Sequence, residues 1–232
     1  MAAFEPLPPE LASCRLCPRL VAHREDVAQR KRRAYLHEDY WGKPVPGFGD
    51  VQARLLILGL APGAHGSNRS GRMFTGDASG NFLFPALHRA ALASQPQATA
   101  RNDGLRLQGV YITAALRCVP PQNKPMRAEM QRCQRWLRYD LEGLPQLRLV
   151  LALGAIAHDS YLEYLRDTQR CSIVKAHYPF AHGALHRFDP ASAALPLLDA
   201  YHVSFQNTNT GKLSPAMFDA VLEQAKTLAG LT

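Results

Sequence analysis

The chain has 232 residues, 47% hydrophobic and 20% charged, with a formal net charge of +8. That length supplies a full core, and the composition is that of a globular protein, not a disordered or fibrous one. No apolar run approaches the ~18 residues of a membrane-crossing helix, and Met1–Glu10 lacks the basic-then-apolar pattern of a secretory signal, so a cytoplasmic protein with no membrane partner is expected.

Residues 10–36 interleave apolar and charged positions and predict a helical segment. The Gly- and Pro-rich stretch 40–50 predicts a loop. Arg54–Leu58 reads as a short buried strand running into Gly59-Leu60-Ala61-Pro62-Gly63-Ala64-His65-Gly66. Ala78–Ala93 has a helical pattern, and Val110–Ala115 and Leu147–Leu153 are strand-length apolar runs between turns and helical segments. Ala200–Phe205 is a last strand candidate and Pro215–Leu228 a closing helix. Strands alternating with helices predict a three-layer α/β/α fold around a central, mostly parallel sheet. No repeat or linker divides the chain, so 1–232 is expected to be one domain with the N-terminal segment docked on it. Ligands of such folds sit beyond the carboxyl ends of the strands.

Basic residues are bunched. Arg15, Arg19, Arg24, Arg30, Lys31, Arg32 and Arg33 form one run, and Arg127, Arg132, Arg135 and Arg138 another. Either run alone fits a solvated helix face; two runs with the overall charge favour an anionic partner such as nucleic acid. The five cysteines are odd in number and scattered, unlike a disulfide framework. Cys14 and Cys17 form a C-x2-C pair, Cys118 and Cys133 a looser one, and Cys171 is left over. A zinc site is possible, although structural zinc usually takes two tight pairs.

Three segments concentrate residues that carry chemistry. The first, Gly59–Gly66, continues through Gly71-Arg72-Met73-Phe74-Thr75-Gly76-Asp77-Ala78-Ser79-Gly80. Its glycines allow close backbone approach to a flat ligand, but it is neither G-x-G-x-x-G nor a Walker loop, so no nucleotide cofactor is expected. The second is Leu116–Pro125, a proline-rich loop carrying Asn123. The third is His202-Val203-Ser204-Phe205-Gln206-Asn207-Thr208-Asn209-Thr210-Gly211, rich in hydrogen-bonding side chains and led by a titratable histidine.

Together, Gly59–Gly66, Phe74–Gly80, the four-cysteine spacing and His-x-Ser…Asn-Thr-x-Thr-Gly over 202–211 resemble the family 5 (type b) uracil-DNA glycosylases, across nearly the whole chain. The resemblance implies a uracil-DNA glycosylase-like fold and a monomer acting on uracil-containing DNA, double- or single-stranded. It also implies a [4Fe–4S] cluster on Cys14, Cys17, Cys118 and Cys133, with the N-terminal segment docked through it. A flipped base would lie on Phe74, within a site lined by Gly59, Ala61, Pro62 and Gly63, with its edge read by Asn123. His202 would stabilise charge at the uracil O2. The first motif has Ala61 where the best-known uracil glycosylases carry a carboxylate, so Asp77 is expected to position water or offset the sugar cation; it could equally cap the helix that starts near Ala78. Gly63 stands where those enzymes carry a Tyr, implying room for other deaminated bases such as hypoxanthine. Val203 and Met73 replace prolines usual in the family, which puts loop rigidity in question. The alternative function is a non-catalytic iron–sulfur DNA-binding protein of the same fold.

Overall fold

The computed structural model describes residues 4–168 and 170–231. Four central strands, β2 (Leu55–Gly59), β3 (Val110–Ala114), β4 (Leu149–Leu153) and β6 (Leu197–Ala200), are buried at every position. They pair in parallel, in the order β3-β2-β4-β6. Two-residue antiparallel strands close the edges: β1 (Phe48–Gly49) against β3 and β5 (Leu185–His186) against β6. Strands covered on both faces explain the continuous apolar runs in the sequence, which show no alternation.

Side chains alternate strictly between two cores. Leu55 and Ile57 of β2, with Ile112 and Leu151, join Leu83, Phe84, Phe218 and Val221 from helices α4 (Ala78–Arg89) and α8 (Pro215–Ala229). Leu56 and Leu58, with Tyr111 and Val150, join Leu137, Tyr161 and Leu165 from α5 (Arg127–Gly143) and α6 (Ala155–Asp167). Each fully buried leucine contributes roughly 2 kcal/mol of burial energy. The fold is the expected α/β/α sandwich.

Element boundaries depart from the sequence pattern in two informative places. Residues 10–36 form two helices, α1 (Pro9–Ala12) and α2 (Pro18–Arg30), followed by a 3-10 turn at Arg33–Tyr35. The break carries Cys14 and Cys17, and Pro18 starts α2 at a position where its missing N–H costs nothing. The last central strand lies at Leu197–Ala200, not Ala200–Phe205. Phe205–Asn209 is instead a short helix, α7, with Ser204 Oγ accepting from Asn207 N at 3.3 Å. A second short helix, α3 (Ser67–Ser70), follows the Gly-rich loop. No helix is long and apolar enough to cross a membrane among the described residues.

Candidate active site

From β2 the chain crosses to β3 on one side of the sheet and then to β4 on the other. That reversal opens a crevice at the carboxyl ends of the strands. A cavity of about 450 Å³ lies there, and Ala61, Gly63, Phe74, Asp77, Asn123 and His202 all line it. Three sequence segments far apart therefore converge. Gly59 lies under the Phe74 ring: a Cβ on it would stand 2.8 Å from Phe74 Cζ. Pro62 is buried and does not line the cavity.

Asp77 is the N-cap of α4, its Oδ1 accepting from Gly80 N at 3.0 Å. Its other oxygen packs on Gly63, where a Cβ would come within 2.8 Å, and more tightly still on Gly66. Burial pushes the Asp77 carboxyl above the ordinary aspartate range, and the backbone N–H groups of Gly80 and Ser79 only partly offset this.

Phe74 is held at φ 52° in the left-handed region, costly for an aromatic residue. The brace is next door. Arg72, 3% exposed, donates to Thr75 Oγ1 at 2.9 Å and to both Asp103 oxygens at 2.7 and 2.8 Å. Asp103 is partly desolvated, yet hydrogen bonds from Arg72 and from the backbone N–H of Leu105, Thr99 and Ala100 hold its carboxyl well below the usual range. Gln122 and Asn123 are likewise left-handed (φ 54° and 56°), in a 3-10 turn over Pro121–Asn123. The Asn123 amide is exposed and makes no hydrogen bond among the described residues, which leaves its donor and acceptor available.

The ring of His202 lies 6.3 Å from that of Phe74, inclined by 33°. Burial lowers its pKa, favouring a neutral imidazole. Its backbone carbonyl is fixed by Asn207 Nδ2 at 2.8 Å. Val203 is fully buried in the core and anchors the loop, and Met73 is 1% exposed at the cavity wall.

Cys14, Cys17, Cys118 and Cys133 line a second, small cavity with Leu11, Leu20, Val21 and Trp136. Burial pushes the Cys118 thiol up to about 11 and the Cys133 thiol up to about 12, so thiolates here need a strong positive partner. Donors are at hand. The cationic Arg24 Nη1 lies 3.0 Å from Cys118 Sγ, and the neutral backbone N–H of Arg117 is 3.3 Å from Cys133 Sγ. Arg24 Nε and Arg117 Nε and Nη1 are buried and make no hydrogen bond among the described residues. Apart from these thiols, His158, His186 and Asp199 bring three possible ligand atoms within 4.8 Å of one another.

The family model described as "Uracil DNA glycosylase superfamily" matches residues 46–226. The chain belongs to this superfamily. It is 54% identical to a type-5 uracil-DNA glycosylase of Thermus thermophilus, covering 95% of this chain and 96% of that protein. It is 46% identical to a type-5 uracil-DNA glycosylase of Mycobacterium bovis over 95% of this chain and 80% of that protein. One from Pyrobaculum aerophilum is 41% identical, over 95% and 91%.

For a member of this superfamily, the sequence missed several cavity residues. Ser67, Ser79, Ser204, Phe205 and Gln206 also line the cavity, and Gly154, just after β4, leaves room for the His202 side chain, whose Cβ stands 3.2 Å from where a Cβ on Gly154 would be. Arg72 lies inside a motif already singled out, but its partner Asp103 sits in a polar loop with nothing to mark it. The signal was available only as the rarity of an Arg inside a Gly-rich loop.

Proposed function

We propose that this chain is a DNA-repair glycosylase that flips uracil out of DNA and hydrolyses its N-glycosidic bond, leaving an abasic site. The observation that carries the reading is the convergence of Phe74, Asp77, Asn123 and His202 on one cavity, together with the full-length likeness to type-5 uracil-DNA glycosylases. The base stacks on Phe74, and the free amide of Asn123 offers its N–H and C=O to the uracil O4 and N3–H. As the bond breaks, charge grows on the base, and a neutral His202 donates a hydrogen bond to O2. Asp77, anionic and aimed between Gly63 and Gly66, faces the developing sugar cation and takes the proton of the attacking water. Ala61 and Gly63 leave the cavity wall bare, so larger deaminated bases such as hypoxanthine fit the same site. The partner is DNA, single- or double-stranded, met by a cytoplasmic monomer.

The four thiols suit a [4Fe–4S] cluster. A tetrahedral zinc with bonds of ~2.3 Å would hold its sulfurs roughly 4 Å apart; a four-iron cluster spreads its ligands wider and carries net negative charge, which the orphaned Arg24 and Arg117 nitrogens would meet. The cluster would tie α1, α2 and the Cys118 loop to α5, uniting the chain as one domain.

Incubating the purified protein with a uracil-containing oligonucleotide, then cleaving with alkali, tests the reading. Strand scission dependent on uracil supports it; tight DNA binding without scission would establish the non-catalytic alternative that Ala61 invites.

A further inference from the structure

His158, His186 and Asp199 do not line the active-site cavity, and the glycosylase reading uses none of them. Asp199 is a fully buried carboxylate in β6, three residues before His202. His158, 2% exposed, projects from α6, and His186 from the edge strand β5. Hydrogen-bond accounting shows that a neutral His158 leaves this cluster one cation short, a place that a second ring proton or a metal ion can fill. The Nε2 of His158 stands 2.9 Å from the carbonyl oxygen of Tyr178. A carbonyl only accepts, so Nε2 carries the proton. In a neutral ring the Nδ1 is then a bare lone pair, yet it points at Asp199 Oδ1 from 2.9 Å. Two lone pairs that close repel unless a cation lies between them. The other oxygen, Oδ2, faces His186 Nε2 at 3.0 Å.

We propose that these three residues bind a structural zinc ion. Two imidazoles and a carboxylate form a donor set typical of zinc, and the carboxylate can offer both oxygens to complete the coordination. The bond from His158 to a backbone carbonyl is the arrangement that fixes the tautomer of a metal-bound histidine. On binding, the ion replaces whatever proton bridges His158 and Asp199, and that proton leaves to solvent. The site also meets a need of the fold. The connection from the end of α6 to β6 has as regular structure only one 3-10 turn and the two-residue β5 among its described residues. A metal joining α6, β5 and β6 would pin this long connection to the sheet edge, at β6, which ends two residues before His202.

The test does not depend on glycosylase activity. Wild-type protein with its cysteine site intact is stripped with a chelator, re-equilibrated with Zn2+ and assayed for metal, with the visible absorption followed in parallel. One zinc per chain is expected, falling to background in His186→Ala with the visible absorption unchanged. His186→Gln, which keeps a hydrogen bond to Asp199 but is a poor zinc ligand, controls for folding. It should melt like stripped wild type and show none of the zinc-dependent rise in Tm of the wild type. Substituted Co2+ should give weak visible bands without thiolate charge transfer. Wild type that takes up no zinc would overturn the proposal, as would zinc retained in both His186 variants or a thiolate-type cobalt spectrum.

Discussion

Asp77 is asked to do two things that conflict. As an N-cap it accepts from Gly80, and as the carboxylate facing the cavity it must stay ionised although burial raises its pKa. The folded carboxyl thus binds its proton more tightly than the unfolded one. Stability from this group is full below the unfolded aspartate pKa and is lost as pH rises through the raised folded pKa. Neutral Asn caps a helix about as well as Asp. Asp77→Asn should therefore melt at the same or a higher temperature at pH 7 while single-turnover uracil excision falls roughly 10²–10⁴-fold. Near-normal excision by that variant would leave Asp77 a cap and nothing more. Asp77, Asn123, Phe74 and His202 were legible in the sequence because residue type and motif mark them. The Arg72–Asp103 brace was not, since a buried ion pair exists only once the loop around 99–105 has folded against the Phe74 loop.

At the scale of elements, misplaced boundaries have physical causes. The last strand, predicted over Ala200–Phe205, forms over Leu197–Ala200 and runs through Asp199, a residue type depleted in strands. Within the fold that aspartate faces His158 and His186, from elements distant in sequence. In the N-terminal segment, amphipathic periodicity continues across Ser13–Cys17 although the helix does not, because periodicity registers faces and not hydrogen bonds. The two short edge strands were invisible for a simpler reason: two residues carry no period. The cysteine-bearing break between α1 and α2 makes its own prediction. Anaerobically purified protein should be brown. Cys14→Ala or Cys133→Ala should bleach it and lower Tm, whereas Cys171→Ala, whose thiol packs beside the α5–α6 core, should keep the colour. A colourless wild type holding one zinc on its thiols would decide for the rival metal.

Across the whole molecule, the positive charge is less freely available than the sequence implies. Arg15 pairs with Glu25, Arg19 with Glu129 and Arg30 with Asp26, while Arg24 is buried against Cys118. Much of the first basic run is therefore already paired with carboxylates or buried. Lys31, Arg32 and Arg33 have no acidic partner among the described residues, and Arg32 is near enough to His65, in the loop after β2, to add to the burial that lowers its pKa. Replacing these three with Ala should shrink the slope of log K against log salt by up to about 3 for DNA binding, each phosphate contact being worth about 0.9 on duplex DNA. An unchanged slope would move the DNA-facing surface to the Arg127–Arg135 side.

The order of the strands also governs when a working site can exist. Leu55 pairs with both Val110 and Leu149, and Val150 with Leu197, so every central pairing joins distant parts of the chain. Such topologies close large loops before contacts repay the entropy, and they fold slowly. The cavity takes its first wall from residues near 60 and its histidine from position 202. On the ribosome, then, nearly the whole chain must emerge before the two halves of the site meet. Until that moment β2 and β3 are apolar strands with an unpaired edge, the state in which a nascent chain of this architecture is most exposed to aggregation and most in need of a chaperone.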